Sequence, residues 1–541
     1  MGWEVAVVAR PAAAERGSGQ LGFDRAVAAR ILSVLVVLAL GAGLVLRALF
    51  TDADHDESQY IAGAALANYW VIFRDFMHLQ TPLQALLFAP LAEWFPNHMF
   101  LAMRVANALL ATGVLAVSYA TLRHLGASRL AGAIAVIFLG LCQPFQYSAV
   151  LVRNDILPAV FSSLAVFAAV AAARGDRSPL LLWGLAGAAF GLATSAKVSH
   201  AFLAVAAGVF LLGWIVRARD RRPALLAFAA FGAGGIAGLL PSVVTFARAP
   251  EAFLWGVVEY GASAPFDWYR TNGLAHMLDL EGKLRGTLRD IGRSPVLPAL
   301  LLVLLLMLRR RSAVPRREVV LLDVLVLGGL VAALLPTPTW AYYFMTLVPV
   351  LFVRFGLEID RLRGLARAPQ AALVLVFAAS LAFTFNWRMR DWLKAPPENY
   401  AVPKLTAQAH WIGQRLRAAG AEGAIATVAP LVVLDSGYPL DRRFAPGVFV
   451  YRSGNLLTPA EHERFNTVGP ETLAGYLDRS QPAAIVTGYE NGSSKFKIFP
   501  DVGIRAYAVS RGYRLEKSPL GGAELYINPR AAASARAVKE G

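Results

Sequence analysis

Asp52, Asp54, Asp56 and Glu57 place four carboxylates within six positions, with His55 among them and Tyr60 shortly after. Carboxylates this close repel one another unless a cation binds or a pKa rises. A carboxylate held in such a group can serve as a general base, with its neighbours tuning its proton affinity. The structural alternative is that Asp56 and Glu57 are helix N-terminal acids facing free amides and the macrodipole. A second group, Arg153-Asn154-Asp155, offers a cation beside a carboxylate. A third, Lys197 and His200, sits in the apolar surroundings of Ala193 to Val205, and a fourth, Trp340, Tyr342 and Tyr343, follows the Pro336 to Pro338 turn. Each has a plainer reading, as an ion pair, a snorkelling lysine or an interfacial aromatic belt. Together with Arg104 they form a set of carboxylates, cations and aromatics suited to a substrate with an anionic headgroup and a lipid tail.

The elements that must hold these groups are transmembrane helices. The chain has 541 residues, 57% hydrophobic and 16% charged, against about 25% charged in an ordinary soluble domain. Eleven apolar stretches approach bilayer length, near 30–50, 100–122, 130–147, 156–173, 180–196, 200–216, 224–247, 295–308, 319–336, 340–356 and 371–388. The first lacks a small-residue cleavage site and reads as a retained helix. A net charge of +16 would point to a nucleic-acid partner in a soluble protein. Here 17 basic residues fall in 45 loop positions on one side, 123–129, 174–179, 217–223, 309–318 and 354–368. The positive-inside rule makes those loops cytoplasmic. The N-terminus is then inside, an odd helix count exports the tail, and no nucleic-acid partner is expected. The four chemical groups all fall on the exported side.

Residues 389–541 carry 19 basic and 14 acidic residues in 153, a denser charge than the rest. The helical periodicity of Lys404 to Ala419 and the β-branched runs at 424–428 and 483–487 predict an α/β soluble domain. The expected organisation is a cytoplasmic segment 1–29, a membrane domain 30–390 with exported loops 51–99 and 248–294, and an extracytoplasmic α/β domain 391–541. The single cysteine, Cys142, excludes an intramolecular disulfide.

The ordered motifs resemble the GT-C membrane glycosyltransferases, in the branch of the aminoarabinose transferases and protein O-mannosyltransferases. The resemblance covers about 30–390. It rests on Asp56-Glu57-x-x-Tyr60, Thr81-Pro82-Leu83, Arg104, Arg153-Asn154-Asp155, Gly191-Leu192-Ala193-x-x-x-Lys197, and Tyr342-Tyr343-Phe344 with Pro349. It implies a GT-C fold of about 11 helices and a polyprenyl-phosphate sugar donor. It further implies inverting hexosyl or pentosyl transfer to a lipid, glycan or protein hydroxyl of the cell envelope, at a bacterial plasma membrane. Asp56 takes the family's general-base position, Asp155 its second acidic position, Lys197 a lysine near the cavity, and Tyr342 and Tyr343 a segment close to the donor phosphate. Glu57 is expected with the catalytic acids. Arg104, Arg153, Lys197, His200 and Tyr60 are expected to contact phosphate or substrate. Aminoarabinose transferases usually carry a lysine just before the Pro-Pro-Leu segment, where this chain has Gln80-Thr81, so other cations must hold the phosphate. No cofactor is required, although the acidic cluster could take a divalent metal. The rival reading, a transporter of an anionic or lipid-linked precursor, predicts internal repeats and interrupted helices at the site. The polar groups crowd one membrane face instead.

Overall fold

The computed structural model describes residues 15–176, 178–309, 316–384, 394–491 and 499–531. The N-terminal residues before 15, the basic run 310–315 and the end after 531, parts of the expected cytoplasmic and tail segments, lie outside them. Seventeen helices occupy the described chain up to residue 384: α1 Glu15–Phe50, α2 His55–Ala67, α3 Leu83–Trp94, α4 Met99–His124, α5 Arg129–Leu141, α6 Gln143–Val150, α7 Ile156–Arg174, α8 Pro179–Ala196, α9 Ala201–Arg217, α10 Arg222–Arg248, α11 Pro250–Leu254, α12 Tyr260–Thr271, α13 Leu280–Gly292, α14 Val296–Leu308, α15 Arg317–Leu334, α16 Val348–Leu362 and α17 Arg367–Thr384.

The eleven apolar stretches are largely helical over their described residues, but not all are simple spans, and the end of the last, 385–388, lies outside the described residues. Among the described residues, six helices are long and apolar enough to cross a membrane, and up to eight spans result if two bent pairs each count as one. The stretch at 130–147 breaks into α5 and α6 at a 64° bend. Pro144 in the first turn of α6 has no amide to continue the α5 ladder, so Cys142 turns extended there. The tyrosines expected in the helix at 340–356 instead lie in a 3₁₀ turn, Ala341–Thr346, before α16. Arg354, counted as a cytoplasmic loop residue, is inside α16 and buried, where it joins Asp323 of α15 at 2.7 Å and Glu358 at 2.6 Å.

The Gly191 motif has a packing cause. A Cβ on Gly187 would meet the Phe231 carbonyl oxygen at 1.9 Å, and one on Gly191 the Gly235 oxygen at 2.4 Å. Small residues let α8 and α10 approach backbone to backbone, as membrane helices do when no apolar driving force separates protein from lipid. That contact fixes the C-terminal end of α8, where Lys197 leaves the helix.

Beyond α17, α18 spans Ala401–Ala419, and a four-stranded sheet has the order β1-β2-β4-β3: β1 Ile425–Ala426, β2 Ala484–Thr487, β3 Arg514–Lys517 and β4 Glu524–Ile527. β1 and β2 are parallel, and the other pairs are antiparallel. The two apolar runs became β1 and β2; β3 (RLEK) is almost wholly solvent-facing and gave no apolar signal. This part does not stand apart from the first long loop. Ile61, Phe73, Phe76 and Phe88 of that loop share one buried core with Val432, Val433 and Phe449. The Met99 amide donates to the Asp435 carboxylate at 2.8 Å across the junction.

Candidate active site

The first helix turn of α2 explains how the acidic cluster is tolerated. Asp54 caps the helix, its Oδ1 accepting the Asp56 amide at 2.9 Å while Glu57 reaches back to the Asp54 amide at 3.1 Å. This capping box uses two of the four acids to satisfy amides the helix would otherwise leave bare.

Glu57 goes further. Its Oε1 accepts Arg104 Nε at 2.9 Å and the Val152 amide at 2.8 Å, and its Oε2 accepts Arg104 Nη2 as well as the capping amide. Arg104 spends its remaining N–H groups on the carbonyls of Ala48 at 2.7 Å, Thr51 at 2.6 Å and Asp52 at 3.3 Å. Both side chains are 0% exposed. With every hydrogen-bonding position committed, Glu57 has no lone pair left for a substrate proton and Arg104 no donor for a phosphate. The geometry therefore corrects both expectations: the pair ties the end of α1, the start of α2, α4 and the strand-like segment before α7 together, behind the site.

Three turns of backbone converge in front of it. Arg153 Nη1 pairs with Asp56 and lies 3.5 Å from Asp54 Oδ2, and its Nε lies 3.3 Å from Asp155 Oδ2. Asp155 in turn pairs with Lys197. The result is an alternating ladder, Asp56, Arg153, Asp155, Lys197, drawn from three places in the sequence. Asn107, one turn along α4 from Arg104, holds the turn that carries Arg153 by donating to the carbonyls of Ser148 at 2.9 Å, Ala149 at 3.1 Å and Leu151 at 2.8 Å.

Aromatic rings wall the ladder. The Arg153 guanidinium lies 3.9 Å over the Tyr342 ring, and Lys197 Nζ lies 5.7 Å and 5.9 Å from the rings of Tyr342 and Tyr343. Tyr342 is stacked between Tyr147 at 6.0 Å and Trp340 at 6.5 Å. Ring faces attract cations most when water is excluded. Exposure separates the members: the Asp155 side chain is 1% exposed and Arg153 3%, whereas Asp56 is 14% and Lys197 11%. Asp56 is thus better reached by solvent than Asp155, and Lys197 than Arg153; Asp54, 20% exposed, has its two oxygens engaged by the Asp56 amide and the Tyr147 hydroxyl.

Of the residues expected from sequence, Asp56, Asp155, Arg153, Lys197, Tyr342 and Tyr343 come together. Tyr60 is buried on α2 with its ring 6.4 Å from His78, within reach of the charges of Arg153, Asp56 and Asp155. His200 does not face the ladder through a bond: it is buried and its Nδ1 meets Ser162 Oγ at 2.7 Å. Tyr147 is a member that sequence reasoning left out of the site, and Asp54, part of the acidic cluster, had no role of its own there. Tyr147 hydrogen-bonds Asp54 Oδ2; the polar run Gln143 to Tyr147 interrupting an apolar stretch was the available signal.

Burial alone would raise the Asp54 carboxyl, but Arg153, His55 and the Tyr147 hydroxyl outweigh it and hold it below the ordinary 3.8. Glu490, from the sheet region, goes the other way: burial first, then the charge of Asp501, push it up to about 8, with Asp54 and Asp56 adding to the rise. A carboxyl raised in the fold binds a proton the unfolded chain has released, so stability falls as pH rises from its ordinary 4.5 towards about 8. Glu490→Gln is expected to flatten that slope and to raise the melting temperature at pH 8 relative to the parent, as thermal unfolding across pH 5 to 8 would measure.

Asp54, His55 and Asp56 could gather three ligand atoms within 4.8 Å of one another. Arg153 pairs with both of these carboxylates, and Asp54 also accepts the Asp56 amide and the Tyr147 hydroxyl.

Residues 79–231 match the family model described as dolichyl-phosphate-mannose-protein mannosyltransferase. Among curated proteins, none matches the chain. The structure of ArnT from Cupriavidus metallidurans bound to undecaprenyl phosphate is similar, with a TM-score of 0.55 at 14% identity over 92% of this chain and 98% of that one. So is the apo oligosaccharyltransferase of Archaeoglobus fulgidus, with a TM-score of 0.51 at 13% identity over 93% of this chain and 74% of that one. The oligosaccharyltransferase AglB from the same organism, in complex with an inhibitory peptide and a dolichol-phosphate, gives 0.51 at 12% identity over 92% and 74%. The resemblance to GT-C glycosyltransferases drawn from the motifs is borne out, with several apolar helices arranged as in these neighbours. The matched segment 79–231 includes Arg153, Asp155 and Lys197.

Proposed function

We propose that this protein is an inverting glycosyltransferase that moves a sugar from a polyprenyl-phosphate carrier to a hydroxyl acceptor on the exported face of a bacterial plasma membrane. The observation that carries the reading is the ladder itself, with a solvent-reached carboxylate, Asp56, and a solvent-reached cation, Lys197, at its two ends. Proteins of this fold that bind undecaprenyl phosphate and dolichol-phosphate support the class of donor.

The chemistry follows from the charges. Arg153 is shared by Asp54, Asp56 and Asp155. A lipid phosphate arriving beside Lys197 competes for that guanidinium, and drawing it away from Asp56 frees the carboxylate to act as base. Asp56 takes the acceptor hydroxyl proton as the oxygen attacks the anomeric carbon from the face opposite the phosphate. The bond from that carbon to the phosphate oxygen breaks, and the polyprenyl phosphate leaves with its charge met by Lys197 and Arg153. Fixed cations aimed at a developing anion in a water-poor site cost no reorganisation at the moment of reaction. Tyr342 and Tyr343 keep the two cations oriented.

The Lys/Arg asymmetry of the loops supports a cytoplasmic N-terminus, an exported site and an exported sheet region, with eleven spans when the shorter apolar helices are counted. Purified protein given a radiolabelled polyprenyl-phosphate sugar and an envelope glycolipid, glycan or peptide acceptor tests the reading. Label appearing in acceptor supports it; uptake of intact labelled lipid into vesicles without transfer would instead make the protein a transporter. Two further outcomes are expected in this assay. EDTA leaves the rate unchanged, since the guanidinium already neutralises the carboxylates. Lys197→Met raises KM for the donor about tenfold to a hundredfold, the worth of one hydrogen bond to a charged group; an unchanged KM would remove Lys197 from the phosphate site.

A further inference from the structure

We propose that a cavity at the C-terminal end of the short helix Val448–Arg452 is a subsite for a sugar residue of the acceptor, which makes the acceptor a carbohydrate chain or glycolipid; this rests on the glycosyltransferase reading above. The cavity measures about 110 Å³ and is lined by Arg452, Asn455, His462, Gly469, Glu471 and Thr472, among others.

Its position ties it to the chemistry. At one end of Val448–Arg452 the Phe449 ring lies 5.4 Å from the ring of His55, the neighbour of Asp56. Arg452 at the other end lies over Trp268 of α12 at 4.4 Å. Asn455 Nδ2 donates to Asp267 of α12 at 3.2 Å. Tyr260 of α12, which hydrogen-bonds Arg452, lies within reach of the Asp56 charge. A sugar seated beside Arg452 is therefore placed to extend the next unit of its chain towards Asp56.

Its chemistry selects a polyhydroxyl ligand. The Arg452 guanidinium is clamped between Trp268 and Phe449, the latter at 4.7 Å, and hydrogen-bonds Tyr260, yet its Nε is buried with no partner. A buried donor left bare costs about 1 to 3 kcal/mol, which is recovered when a ligand supplies an acceptor. The same wall carries acceptors, the Asn455 amide oxygen and the Glu471 carboxylate. A hydroxyl donates and accepts through one atom, so adjacent sugar hydroxyls serve both kinds of group. A phosphate would meet Arg452 but be repelled by Glu471, and an apolar side chain would leave Arg452 unpaired.

The wall is also built closely. His462 bonds Thr467 Oγ1 at 2.8 Å and the Gly454 carbonyl at 3.0 Å, so it shapes the cavity without a free nitrogen. A Cβ on Gly469 would stand 2.7 Å from His462 Nε2, and one on Gly454 2.7 Å from the Gly469 Cα. Neither glycine can take a side chain without moving this wall.

The full chain in lipid nanodiscs, applied to an array of envelope-type oligosaccharides with inorganic phosphate as competitor, tests the subsite. Glu471 is exposed, so Glu471→Gln should fold as the parent does, and Asn455→Ala gives a second variant. The expected result is glycan retention by the parent that Asp56→Asn preserves and that each cavity variant weakens about tenfold, the loss of one hydrogen bond. No retained glycan, retention unchanged in both variants, or displacement by inorganic phosphate would overturn the subsite. Failure of the transferase reading looks different: the parent retains glycan through the cavity but never cleaves the labelled donor.

Discussion

Asp56→Asn is expected to slow sugar transfer by about two to four orders of magnitude, the usual contribution of a positioned general base. The amide is isosteric and keeps a hydrogen-bond acceptor for Arg153, but it cannot take a proton. Arg153 retains Asp54 and Asp155 in any case, so the ladder survives and the melting temperature should stay within about a degree or two of the parent, as for a change without a buried orphan charge. Donor binding should survive as well, because the phosphate contacts are assigned to Lys197 and Arg153. Steady-state transfer, donor binding and thermal unfolding measured on the same preparation separate these effects. A variant that keeps near-parental transfer would show that another group takes the proton.

The second large effect lies behind the site. Removing one partner of the Glu57–Arg104 pair, as Arg104→Met or Glu57→Leu, leaves a charge with no exposure and no counter-ion, which costs about 3 to 5 kcal/mol. Arg104→Met also strands the carbonyls of Ala48, Thr51 and Asp52. The double replacement Glu57→Leu with Arg104→Met is expected to be less destabilised than the two single changes added together, since no lone charge remains. Denaturation of the four proteins in a double-mutant cycle measures this. The same cycle distinguishes the structural role from a catalytic one. If Arg104 held the phosphate, Arg104→Lys would preserve donor binding; since it ties carbonyls and a carboxylate with five fixed donors, Arg104→Lys should lose stability first, a lysine having only three donors and no fork.

Much of the molecule was legible in its residues. The apolar stretches of near-bilayer length are largely helical where they are described, because a backbone in lipid must satisfy its own amides. The order of charged motifs names Asp56, Arg153, Asp155 and Lys197, which the fold brings together as paired charges. What residue types could not convey was which of two neighbouring acids faces the site. Asp56 and Glu57 are adjacent and chemically alike; on a helix they point about 100° apart, and only the tertiary position of Arg104 turns Glu57 inward. Tyr147 was hidden for a related reason. It lies just past a proline-induced bend, and the bend that brings it to Asp54 is a property of how α6 packs rather than of its periodicity. The sheet was half visible: β1 and β2 are buried and apolar, whereas β3 is an edge strand of charged residues that reads as loop.

The stereochemistry of transfer tests the account most directly. Asp56 is placed to activate an acceptor opposite a leaving phosphate, and no second carboxylate of the ladder is free to form a covalent sugar intermediate, Asp155 being paired with both Arg153 and Lys197. Purified protein supplied with a polyprenyl-phosphate sugar of known anomeric configuration should yield a product whose new glycosidic bond, read by NMR, has the opposite configuration, and Asp56→Asn should yield essentially none. A product of retained configuration, or an inverted product formed equally well by Asp56→Asn, would contradict it.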